Sequence, residues 1–285
     1  MAKIETFVFF DIETTGLWYC DPPKLTELAF VGVSREHFLA ASKNEIPRPI
    51  FKLLLPINPR KLIHPESTRI TGLDNFMLEH IKAFDGNTVD LLNSFLNQLN
   101  KPICMVAHNG NGFDFPLLRR QLQKLNRSFD DDILCVDSLA IFREIDKCTI
   151  VKQTALDELM NTDLQAVQNR NEKTPSKVKS FVVIPKTPYK KPNAARELFA
   201  SEGNSPSTSS DANITNKTSK CSSSTRISYK LTEIYERLHE RRPNIAHNAE
   251  ADTIHLLQCA IALKDEFVLI ADELATKFAD SKFRI

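Results

Sequence analysis

Asp11 and Glu13 stand two residues apart at the end of an apolar, aromatic-rich run, Thr6–Phe10 (TFVFF). On a strand, side chains at i and i+2 point to the same face. Two carboxylates placed so repel each other unless a cation sits between them, and hard oxygen ligands at that spacing suit Mg²⁺ or Mn²⁺. The pair also reads as an ordinary solvated strand end. A second segment, Val106–Leu118 (VAHNGNGFDFPLL), runs from a strand through a Gly-rich turn into a helix whose first turn holds Asp114. Asp114 suits either chemistry or the helix dipole, and His108 and Asn109 suit a turn. A third segment, His247-Asn-Ala-Glu-Ala-Asp252, opens another helix. His247 carries an imidazole, a side chain suited to moving a proton, or it is a surface residue before a helix. Glu250 and His255 read as helix surface.

These segments need elements to carry them. Thr6–Phe10, Leu25–Val33, Ile50–Leu55, Ile103–Ala107 and Ile133–Val136 read as five strands. Pro47, Pro49 and Pro56 bracket the third and suit an edge position. Asn87–Leu99 carries Leu91, Leu92, Phe95, Leu96 and Leu99 on one face, an amphipathic helix. A second helix is expected over about 113–125, with helical patterning again from Ser228 and from Ala249. Strands alternating with helices argue for an α/β layer fold.

The 285 residues suffice for a sizeable core, and 42% hydrophobic with 26% charged residues matches a globular protein. Between Lys173 and Arg196 there are seven Lys/Arg, four Pro and no acid; from Ala200 to Thr225, thirteen of 26 residues are Ser or Thr. Such a stretch buries too little to offset its ordering entropy, so 161–225 is expected to be a disordered insertion in one domain formed by 1–160 and 226–285. The insertion reads as a solvated basic linker; a flexible arm for phosphates and an import signal are the other readings. Six cysteines without metal-ligand spacing exclude a zinc knuckle or disulfide framework. The net charge of +1 gives no bulk attraction to nucleic acid. No apolar run approaches the roughly 20 residues of a membrane span, and no secretory leader is visible. The expectation is an intracellular protein, nuclear or cytoplasmic, neither secreted nor membrane-spanning.

Taken in order, Asp-x-Glu, N-G-x-x-x-D-F-P-L-L and His-x4-Asp on an α/β pattern resemble the DEDDh exonucleases. The segments FFDIETTGL, Ile70–Leu73 (ITGL), VAHNG, Val136–Ser138 (VDS) and SYKLTEIYERL closely resemble the three-prime repair exonuclease family. The likeness spans roughly 5–145 and 226–265.

That resemblance implies a ribonuclease-H-like (DnaQ-like exonuclease) fold, a mixed five-stranded sheet flanked by helices. It implies removal of nucleotides from DNA 3′ ends, single-stranded or frayed, with two Mg²⁺ ions for which Mn²⁺ can substitute. Asp11, Glu13 and Asp252 would be metal ligands, Asp114 would hold the second metal, and His247 would be the general base. Gly16 and Leu17 would lie against the terminal nucleotide, and Ile70 against its neighbour; read alone, these are a turn glycine and ordinary core residues. The family forms homodimers through edge strands, and Ile50–Leu55 would be the strand so covered.

The chain departs from the pattern before Asp114. Gly112 and Phe113 replace an Arg-Tyr pair, so Phe113 can stack on a base but donates no hydroxyl, and the grip on the strand should weaken. A Pro-rich segment is reduced to Ile46-Pro-Arg-Pro, and without an apolar C-terminal tail no membrane anchor is expected. The competing activities are a DEDDh exoribonuclease or proofreading exonuclease, distinguished by the 2′-OH, and an inactive protein that binds nucleic-acid ends.

Overall fold

β1 (Thr6–Thr14) is buried along its length except at Asp11 and Glu13, which are half-exposed. A strand apolar on both faces needs cover on both sides, and its alternating side chains feed two cores. Phe7 and Phe9 join Val31, Phe38, Phe142, Leu257 and Phe267 on one side. Val8, Phe10 and Ile12 join Phe30, Leu92, Phe115 and Leu118 on the other. Asp11 and Glu13 continue the row of Phe7 and Phe9.

The structure is a computed structural model that describes residues 3–17, 22–171, 227–243 and 247–281, with the backbone alone over 156–171. β1 pairs antiparallel with β2 (Leu25–Ser34), which pairs antiparallel with β3 (Phe51–Pro56). On its other side β1 runs parallel to β4 (Ile103–Ala107), and β4 runs parallel to β5 (Leu134–Asp137). The strand order is β3-β2-β1-β4-β5-β6, where β6 (Thr276–Lys277) is a two-residue antiparallel addition. The five expected strands are therefore present, β3 lies at an edge as its prolines require, and the mixed sheet is ribonuclease-H-like.

Between the strands lie α1 (Arg35–Ala40), α2 (Pro65–Thr71), α3 (Gly86–Leu96) and α4 (Asp114–Lys124). After β5 come α5 (Ser138–Asn171), α6 (Leu231–His239), α7 (Ala249–Ala262) and α8 (Lys264–Leu274). α3 begins with a full capping box between Asp85 and Thr88. α3 and α4 cover one face of the sheet; α5, α7 and α8 cover the other.

The chain divides into two units, Met1–Asp157 with Ile227–Ile285, and Glu158–Arg226. In the second unit the described residues are the last part of α5, which runs to Asn171, across the expected boundary at 160. The expected disordered insertion otherwise lies outside the described residues. Among the described residues no helix is long and apolar enough to cross a membrane.

Candidate active site

The C-terminal end of β1 meets the N-terminus of α7, and there the first and third motifs come together. One carboxylate oxygen from each of Asp11, Glu13 and Asp252 lies within 4.8 Å of the others, the acidic trio found among the described residues. The strand register shifts between Glu13 and Thr14, and a bulge of this kind re-aims neighbouring side chains at a sheet end.

Asp114, the first residue of α4, is only 3% exposed. Its carboxyl is pushed up to about 8, by burial first and then by the charges of Asp137 and Glu13, while backbone N–H groups of Asp114 and Ile12 pull it down. Burial raises Asp11 well above the usual carboxylate range, and repulsion from Asp114, Glu13 and Asp252 adds to it. Glu13 is raised to about 7 by burial and by Asp252 and Glu27. Such a set resists ionisation on its own, and a divalent cation among hard oxygen donors relieves the repulsion. The donor set therefore fits Mg²⁺ or Mn²⁺.

Asn248 caps α7, its side chain accepting the N–H of Ala251 at 3.0 Å. Asp252 Oδ2 accepts the backbone N–H of His247 at 2.8 Å. His247 has a left-handed backbone, φ 61°, and is exposed. His255 departs from the expected surface position: its ring packs edge-on against Tyr235, and Nδ1 stands 3.7 Å from Asp252 Oδ1. Glu250 is half-exposed on the helix surface and pairs with Lys52 of β3 at 2.7 Å.

The loop before Asp114 is built for tightness. At Gly110 an added Cβ would stand 2.7 Å from both Ala107 Cβ and the Phe115 ring, so no larger residue fits without movement. Asp137 Oδ2 accepts the N–H of Asn111 at 3.1 Å. His108 is more than a turn former. Its Nε2 donates to the carbonyl of Tyr229 at 2.8 Å, and Nδ1 lies 3.0 Å from Ser138 Oγ. Since a carbonyl only accepts, the proton sits on Nε2.

On the β1 side, His64 N–H donates to the carbonyl of Thr15 at 2.9 Å, drawing α2 to the Gly16–Leu17 segment. Leu17 is 58% and Ile70 39% exposed, two apolar side chains left open. Phe113 is half-buried and packs against the core under α4. Gly112 is exposed. Of the residues sequence reasoning passed over, Glu27 is the most informative. It is 7% exposed on β2, directly opposite Glu13 in the register, and its Oε2 accepts the N–H of Ala249 at 3.0 Å. Its signal in the sequence was an acid inside a run, LTELAFVGV, where all its neighbours suit burial.

A sheet of this order brings carboxylates together at the end of its central strand, an arrangement that could hold a divalent metal. The chain belongs to the exonuclease family, whose sequence profile matches residues 8–170. That match contains Asp11, Glu13 and Asp114; the fold brings Asp252 to Asp11 and Glu13. The chain is similar to three-prime repair exonuclease 1 of Bos taurus, 38% identical over 156 residues, covering 51% of this chain and 49% of that protein. It is similar to three prime repair exonuclease 2 of Mus musculus, 36% identical over 152 residues, covering 51% of this chain and 64% of that protein. The human three-prime repair exonuclease 1 is 35% identical over 159 residues, 52% of this chain and 50% of that protein. The chain thus spans about half the length of two of these relatives and under two thirds of the third.

Proposed function

We propose that this protein is a metal-dependent 3′-5′ DNA exonuclease that releases 5′-mononucleotides from single-stranded or frayed 3′ ends. The observation that carries the reading is the meeting of Asp11 and Glu13 with Asp252, residues from opposite ends of the chain, within 4.8 Å. Asp11, Glu13 and Asp252 would hold divalent metal, with Asp114 completing a second site. Two such ions, when bound, activate a water and stabilise the departing oxygen of an in-line displacement.

The chain's own groups do the rest. Leu17 and Ile70 present apolar faces to the terminal bases, contacts that tolerate any sequence. His247 accepts the proton of the attacking water as its oxygen bonds to phosphorus. The bond to the 3′ oxygen of the shortened strand breaks, and that oxygen gains a proton. Phe113 is half-buried against the core and has no hydroxyl to donate, which suits a weak grip on the strand. The exposed edge of β3, with Phe51 and Leu54 open to solvent, suits a homodimer joined strand to strand.

The test is a gel assay of 5′-labelled single-stranded DNA with wild type and Asp252→Ala, in Mg²⁺ and in EDTA, beside RNA of the same sequence. A metal-dependent ladder shortening from the 3′ end of DNA, absent in the variant, is expected. Faster loss of RNA would move the substrate to ribonucleic acid, and binding without cleavage would leave an end-binding protein.

A further inference from the structure

A second carboxylate sits on the same rung of the sheet as Glu13. Antiparallel partners directly opposite each other share a face, with Cβ atoms about 5 Å apart, and like charges there destabilise the pair. Glu27 is nonetheless almost fully buried opposite Glu13. It is outside the trio whose oxygens cluster, so its value lies elsewhere.

Its one hydrogen bond described is to α7. Glu27 Oε2 accepts the N–H of Ala249, the first residue of that helix, at 3.0 Å. A helix N-terminus leaves several N–H groups without partners, but α7 has its own cap: Asn248 takes the N–H of Ala251. A local cap satisfies the helix without fixing where the helix stands. The bond from β2 fixes Ala249 against the sheet, and Asp252 follows three residues later in the same first turn.

We propose that Glu27 is a positioning residue for the metal centre, pinning the start of α7 to β2 so that Asp252 meets Asp11 and Glu13. One rung of the sheet then carries a metal ligand on one strand and the anchor of a second ligand on the other. The inference rests on the active-site reading above.

Reach and charge separate this role from its competitors. Glu27→Asp keeps the charge and withdraws the carboxylate by one methylene; Glu27→Gln removes the charge and keeps an oxygen that can accept the same bond. Mn²⁺ binding to the folded full-length chain, followed by electron paramagnetic resonance at fixed pH, is the readout, with circular dichroism verifying the fold. Glu27→Asp is expected to weaken Mn²⁺ binding about 10–100-fold, as loss of a ligand's support does, and Glu27→Gln to weaken it less. Raising Mn²⁺ should restore the nuclease rate of Glu27→Asp, which a purely structural defect would not allow.

The reverse ranking, Asp close to wild type and Gln far weaker, would make Glu27 an electrostatic contributor and overturn the proposal. Equal Mn²⁺ affinity in both folded variants would overturn it too. Failure of wild type to bind Mn²⁺, or retained binding in Asp252→Ala, would instead strike the active-site reading itself.

Discussion

Asp252 and His247 are joined through the backbone: the N–H of His247 donates to Asp252 Oδ2 at 2.8 Å. The proposed ligand therefore grips the chain of the proposed base, and the His247 side chain is left outside that bond, exposed. The left-handed backbone of His247, φ 61°, costs a non-glycine residue about 1 kcal/mol and is held by the surrounding contacts. Removing the imidazole leaves the backbone donor in place. His247→Ala should thus bind Mn²⁺ as wild type does while kcat falls about 10²–10⁴-fold, the usual contribution of a positioned base. A kcat within twofold of wild type in steady-state assays would remove His247 from the mechanism.

Acidity should stabilise the metal-free protein. Burial and mutual repulsion raise Glu13 from an ordinary 4.5 to about 7 and Asp114 from 3.8 to about 8. Between those limits the folded state binds more protons than the unfolded one, so unfolding free energy falls as pH rises. In EDTA, Tm by scanning calorimetry should drop between pH 5 and pH 8. Saturating Mg²⁺ should oppose the drop, adding about 2.7 kcal/mol at a hundred times its Kd. A Tm in EDTA that rises over that window would show the carboxylates are not buried together.

The edge strand offers a simpler test. Phe51 and Leu54 are open on β3, whose outer side has no described partner. A charge there should block strand-to-strand association, so Leu54→Arg is expected to give monomer or insoluble protein. An unchanged dimer mass by light scattering places the dimer contact elsewhere.

Gly110 should be intolerant of any side chain. A methyl would meet Ala107 Cβ and the Phe115 ring at 2.7 Å, and overpacking of this kind costs about 1–3 kcal/mol. Gly110→Ala should lose that much in urea denaturation and lose nuclease activity as well, because the loop it distorts leads into Asp114. Full stability in the variant would mean the β4–α4 turn relaxes freely.

Much of this was legible in the residues. Apolar runs with period-two or unbroken patterning mark β1 to β5, and prolines mark β3 as the edge. Asp11 and Glu13 share a face because strands alternate, which the spacing alone establishes. β6 was not legible, since two residues, Thr276 and Lys277, carry no pattern. The end of α5 was not, because polar residues over 161–171 suit a helix surface as well as a linker. The packing of half-buried Phe113 against the core under α4 was not legible either, since that core is assembled from distant segments. Glu27 was passed over and His255 read as helix surface for a common reason: each is placed by a neighbour distant in sequence, Ala249 for one and Tyr235 for the other. For Asp114 the local sequence suits either chemistry or the helix dipole, and only its burial shows the larger cost of its charge.

The 222-residue separation between Glu27 and Ala249 also has a consequence for how the protein is made. At about 5–20 residues per second of synthesis, the strand bearing Asp11 and Glu13 leaves the ribosome tens of seconds before the helix bearing Asp252. Throughout that interval a nascent chain has its acidic cluster without Asp252. Whatever cutting power the finished protein has is withheld until the helix bearing Asp252 has been made.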